Sequence, residues 1–136
     1  MTVIPLFLTM ITGYALKFEK HNEIPIAICD LDNTDYSNIL LERIKDKKGF
    51  KIFQTNENNV IKLVKDYKVE SAFIIKKGFK ENIISGNTKG IIEQIAHPSS
   101  ISQGIIKEII GSEVARIMLN TEAADWVINE YIKLNK

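Results

Sequence analysis

Cysteine is all but missing from this chain, and so is any surplus of charge. Cys29 is the single thiol in 136 residues, which excludes an internal disulfide and a zinc site built on cysteines. It lies in the apolar run Ile26-Ala27-Ile28-Cys29, where a buried, inert thiol is the ordinary state. Eighteen Lys and Arg stand against seventeen Asp and Glu, a net charge of +1. The densest basic cluster, Lys45, Lys47 and Lys48, is no more than a solvated helix end, so no nucleic-acid partner is expected. Nucleotide-binding loops are absent too: Gly86-Asn87-Thr88-Lys89-Gly90 lacks the G-x-x-x-x-G-K-[ST] spacing, and no G-x-G-x-x-G occurs. Ser99-Ser100 has no G-x-S-x-G elbow around it. The two histidines, His21 and His97, are far apart in the chain, and His97 beside Pro98 reads as a turn residue. The length suits one domain, able to bury roughly two-thirds of its unfolded surface without staples.

What the chain does have is an uncharged start. Met1 to Leu16 carries no charged side chain, yet as a helix it would reach only about 24 Å, short of the ~30 Å hydrocarbon core. No basic residue precedes the apolar run and no small-x-small site follows it, so a signal peptide fits poorly. A buried soluble helix and the C-terminal part of a membrane span both remain, and Pro5 and Gly13 suit the span better. The expected division is an apolar segment over 1–18, the end of a transmembrane helix, and an α/β domain over 19–136.

Strand and helix signals then alternate. Pro25 to Cys29 is a continuous apolar run suited to a central strand. Asn33-Thr34-Asp35 offers helix caps, followed by Tyr36, Ile39, Leu40 and Ile44 at helical spacing until Gly49. Phe50 to Phe53 is a second strand. Thr55-Asn56-Glu57 caps a helix carrying Val60, Leu63, Val64 and Tyr67. Ser71 to Ile75 is the third strand, leading through Gly78 to a short helix with Phe79, Ile83 and Ile84. Gly90 to Ala96 is the fourth strand, stopped by His97-Pro98. Beyond it, Ser100-x-x-Gln103 resembles a capping box, with Ile101, Ile105, Ile109 and Ile110 as the apolar stripe. Gly104, Gly111 and Ala115 would allow close helix packing, and a further helical stretch holds Trp126, Val127, Tyr131 and Leu134, with Trp126 and Tyr131 read as core or interface. The fold class is α/β: a single domain with a mainly parallel four-stranded sheet flanked by helices and a helical C-terminal portion.

Asp30-x-Asp32-x-Thr34 after the first strand is the one pattern with chemical content. Phosphatases of the haloacid-dehalogenase type end a strand in D-x-D-x-T, where the first carboxylate attacks phosphorus and the second acts as acid and base, both helping to hold Mg²⁺. Phe50 to Thr55 imitates the second motif, and Lys76 or Lys77 could balance the phosphate. The later acidic pair is missing: after Asp66 the only Asp is Asp125, inside a helical stretch. A calcium loop fails as well, since Asp35 stands where Gly is required and Leu41 where a bidentate Glu is required. The structural alternative is that these side chains cap a helix start.

Three stretches carry a resemblance. Val3-Ile4-Pro5-Leu6 through Gly13-Tyr14-Ala15, Ile26 to Ser37 with its D-x-D-N-T, and Val69 to Phe79 running on to Ser85-Gly86 together resemble the extracytoplasmic domain of a permease of the type-2 ABC exporter family, over residues 1–118. Lys76 stands where that family usually has Pro, and His97 where it often has Asp. The resemblance implies a domain on the extracellular side of the cell membrane that takes part in ATP-driven efflux of drugs, peptides or lipids. It also implies a cytoplasmic ATPase subunit and a second permease subunit as partners, and it admits a homodimer. No catalytic, cofactor-binding or metal-binding residue is implied, no cofactor is expected, and ATP hydrolysis would reside in the separate subunit. The alternatives are a Mg-dependent phosphatase using Asp30 and Asp32, or a soluble interaction module.

Overall fold

A computed structural model gives the architecture and describes residues 23–135. The expected apolar segment 1–18 and the boundary after it lie outside the described residues. Four strands, β1 (Ile24–Asp30), β2 (Phe50–Gln54), β3 (Ser71–Ile75) and β4 (Ile92–Ala96), form one sheet in the order β2-β1-β3-β4. The first three run parallel and β4 is antiparallel to β3, so the sheet is mixed and mainly parallel. All five residues of β3 are buried, as a strand covered on both faces must be.

Side chains alternate across the pleat and select which helix covers each face. Ile26, Ile28, Phe73 and Ile75 point to one face, where α1 (Asp35–Lys45) brings Leu40, Leu41 and Ile44, and α3 (Phe79–Ser85) brings Phe79 and Ile83. Ala27, Cys29, Ala72 and Ile74 point to the other, covered by Val60 and Val64 of α2 (Glu57–Lys65). The stripes differ in detail from the spacing read above. Ile39, Tyr67 and Ile84 are exposed, while Leu41 and the small polar Ser37 are buried in their place. α1 ends at Asp46 rather than Gly49, and Gly49, with φ +100°, turns the chain into β2.

The largest departure is at the C-terminus. The two expected stretches are a single helix, α4 (Gln103–Leu134, 32 residues), about 48 Å long. Its buried line is Ile106, Ile110, Val114 and Ile117, whereas Ile101 and Ile105 face solvent. No side chain caps its start: the hydroxyls of Ser100 and Ser102 donate instead to Glu70 Oε2 (3.0 and 3.2 Å). Among the described residues, nothing packs against Gly104 or Gly111. Trp126, Val127, Tyr131 and Leu134 are all exposed, so none belongs to the core. No helix among the described residues is long and apolar enough to cross a membrane.

α4 begins where β1 and β3 begin, because Glu70, which holds Ser100 and Ser102, also donates its amide to Pro25 O (2.9 Å). It then runs antiparallel to α1, with Arg43 and Lys47 meeting Glu113, and with Tyr36 lining one cavity together with Thr121 and Ala124. From residue 122 to residue 129 every position is exposed. The last three turns therefore project beyond the edge at which β1 and β3 end, opposite the edge where the chain enters.

Glu113 is the fastener between α4 and α1. Its carboxylate is buried, with Lys47 Nζ at 2.7 Å, Arg43 at 3.6 Å and Arg116 at 3.9 Å. The hydrogen bond from Lys47 and the three cations hold its pKa below the usual 4.5, against the opposing effect of burial. A carboxyl more acidic in the folded state contributes stability above its unfolded pKa and loses it as pH falls through the folded value. Urea midpoints should thus drop more steeply below about pH 4.5 in the wild type than in Glu113→Gln. That variant is expected to be about 2 kcal/mol less stable at pH 7 and to converge with the wild type in acid. Parallel curves would refute the assignment.

Candidate functional site

β1 ends at the centre of the sheet, and the chain leaves it toward β2 while the next crossover arrives at β3. The loops after β1 and β3 thus diverge at adjacent strand ends, the place where open α/β sheets usually admit a ligand. Asp30, Asp32 and Thr34 stand in this fork. Asp30 closes its own turn: Oδ1 accepts from the amides of Asp32 and Asn33, both at 3.0 Å, and Oδ2 accepts from the Ser37 hydroxyl at 2.7 Å. Asn33 adopts φ +52°, a left-handed conformation that Asn tolerates through local side-chain bonding. Thr34 is the N-cap of α1, in a reciprocal capping box with Ser37.

Asp32 reaches across the fork. Its Oδ1 accepts from the Gly78 amide (2.9 Å), and its Oδ2 accepts from the Lys80 amide (3.2 Å) and from the Thr34 hydroxyl. Gly78 holds φ +87°, available to glycine at little cost, and that conformation presents two amides of the α3 start to one carboxylate. The free amides of a helix start attract an anion, and here a side chain of the same chain occupies that position. At the rim, Lys80 Nζ pairs with Asp35 at 3.1 Å and lies over the Tyr36 ring. The pair's hydrogen bond lowers the Asp35 pKa and raises that of Lys80.

Each of the two carboxylates thus spends three of its about four acceptor sites on neighbouring amides and hydroxyls. A nucleophilic carboxylate has to present an oxygen to phosphorus, whereas these are turned into the backbone. The helix-capping reading of the motif is the one the geometry fits. Of the other candidate residues only Lys77 lies at the fork, exposed beside Gly78. Lys76 pairs with Glu93 on β4 (3.3 Å). Thr55 follows β2, its amide bonded to Ile28 O. His97, Ser99 and Ser100 lie at the opposite edge, where β4 ends beside the start of β3. Among the described residues no three His, Cys, Asp or Glu side chains stand close enough to share a metal ion.

Both departures from the exporter pattern have a physical account. The Lys76 amide donates to Ile91 O (3.0 Å), a bond proline could not make, and it extends the β3–β4 pairing by one residue. His97 Nδ1 accepts from the Ser99 amide (3.2 Å), which is the role an aspartate plays in an Asx turn. Sequence reasoning missed Gly78 and Lys80 as partners of Asp32, and Glu113 altogether. The only available signal was a glycine directly before a short helix.

Comparison with known proteins agrees with this geometry. A search of curated proteins gives no match. The fold resembles the crystal structure of a domain assigned to an ABC type-2 transporter of Thermotoga maritima MSB8, with a TM-score of 0.50 and 16% identity over 71% of this chain and 68% of that one. The family described as ABC-2 family transporter protein matches residues 1–133, from the uncharged start through nearly all of α4. This chain belongs to the ABC-2 transporter family.

Proposed function

We propose that the domain is the extracytoplasmic part of an ABC exporter permease. It takes part in ATP-driven efflux of drugs, peptides or lipids and performs no catalysis of its own. The observation that carries this reading is the family match over residues 1–133, which joins the charge-free start and the α/β domain in one unit. The closed carboxylate fork supports it, since the motif that suggested chemistry serves to lock two loops together. Family membership implies an ATPase subunit in general terms, here a cytoplasmic one that supplies the energy, with a second permease subunit or a second copy completing the membrane path. In this reading residues 1–18 are the end of a membrane span and the domain stands on the extracellular side.

Thiol labelling tests that side directly. Cys29 is 2% exposed, and desolvation raises its pKa, with smaller contributions from the negative charges of Glu57 and Asp30, so the native thiol should stay silent. Lys77, exposed in the loop between β3 and α3, is replaced by cysteine in a full-length protein whose cysteines outside these 136 residues have been changed to serine. A membrane-impermeant maleimide should label Lys77→Cys in intact cells and leave the parent unlabelled. Labelling only after permeabilisation would place the domain on the inner side and refute the proposal.

A further inference from the structure

A groove of about 790 Å³ runs between α4 and the β4 side of the sheet, on the flank of α4 away from α1. Two i+4 rows of α4 line it: an outer one of Lys107, Gly111, Ala115 and Leu119, about 18 Å from end to end, and an inner one of Ile110, Val114 and Met118. The middle two residues of the outer row are too small to fill the gap. Among the described residues, a methyl group built on Gly111 meets no atom within 4 Å, so no described side chain fills the space in front of the helix. Phe73, Ile91, Ile110 and Val114 form an apolar floor that is otherwise part of the core. Glycine is a poorer helix former than alanine, and among the described residues no close approach of another element accounts for Gly111.

The two ends of this groove differ. Lys107 stands at one end and has no ion-pair partner among the described residues. At the other end Leu119 is exposed, and the same row continues through Ala123, Val127 and Tyr131 onto the projecting end of α4. The volume falls within the range of small-molecule sites, and an apolar lining with a few polar groups is their usual make-up. From these features we infer that the groove binds a free single-chain anionic amphiphile. Its hydrocarbon tail lies over Gly111 and Ala115, its head group meets the Lys107 ammonium, and the tail end emerges toward Val127. The charge at one end and the length of the row specify this occupant. The inference does not depend on which side of a membrane the domain occupies.

Calorimetric titration of the 136-residue chain with dodecanoate, kept below its critical micelle concentration, tests it. One saturable site per chain is expected. Gly111→Phe, which puts a ring into the open space, should weaken binding at least tenfold without lowering the urea midpoint. Lys107→Glu, a surface change that leaves the fold intact, should weaken dodecanoate about tenfold and tighten dodecyltrimethylammonium. No saturation in the wild type overturns the proposal. So does undiminished binding in Gly111→Phe, which would place the amphiphile elsewhere on the chain, and so does indifference to Lys107→Glu. Sedimentation of the same samples covers another occupant: a wild-type dimer that Gly111→Phe converts to monomer would mean that a second copy fills the groove, and the amphiphile assignment would fall.

Discussion

Replacing Phe79 by alanine is expected to destabilise the domain by about 4 kcal/mol, enough to lower the melting temperature by roughly 15 °C. The ring is fully buried at the first position of α3 and belongs to the cluster formed with Ile26, Ile28, Ile83 and Ile106. Truncating it removes apolar contact and leaves a cavity that the surrounding sheet and helices can only partly close. Ile84, five residues on in the same short helix, is half exposed, and Ile84→Ala should cost less than about 1 kcal/mol. Denaturant unfolding of the two variants side by side checks the assignment. Equal losses would mean that α3 is rotated relative to the sheet from the orientation described.

Asp32→Ala is expected to cost about 3 kcal/mol and roughly 10 °C, although no apolar contact is lost. Its removal leaves the Gly78 and Lys80 amides without an acceptor in a partly enclosed corner, at about 1–3 kcal/mol for each group that stays unpaired. Amide hydrogen exchange gives the sharper readout, because Gly78 and Lys80 should lose protection while the amides of β3 keep theirs. Asp35→Ala, which breaks only the exposed pair with Lys80, should leave both amides protected. If Asp32→Ala melts within about 2 °C of the wild type, the fork is held by something other than this carboxylate, and the motif returns to contention as a site.

Local chemistry made much of the fold readable. Thr34 and Asn56 cap their helices where the sequence placed caps, because an N-cap bond spans only three residues and needs no distant partner. The strand signals became the four strands, and the two central ones, β1 and β3, are the continuous apolar runs buried on both faces. The long C-terminal helix was harder. Isoleucine at 101, 105, 106, 109 and 110 allows more than one stripe, and periodicity alone cannot set the phase. The sheet sets it, by offering a face that takes Ile106 and Ile110 and leaves Ile101 and Ile105 in water. Trp126 and Tyr131 likewise look like core residues until the length of α4 is known, because only then does the helix outrun the body it packs on.

By itself the sequence determined the fold class, the central place of the first strand, a helix cap within Asn33-Thr34-Asp35 and the resemblance to exporter permeases. All of these rest on residues near one another in the chain or on composition. The tertiary structure alone decided what Asp32 is for, since its amide partners lie 46 and 48 positions away and are brought to it by the crossover that places β3 beside β1. It alone decided that α4 leaves a groove at Gly111, because a gap is a relation between a helix and a strand edge. Neither element records in its own sequence how far it stands from the other.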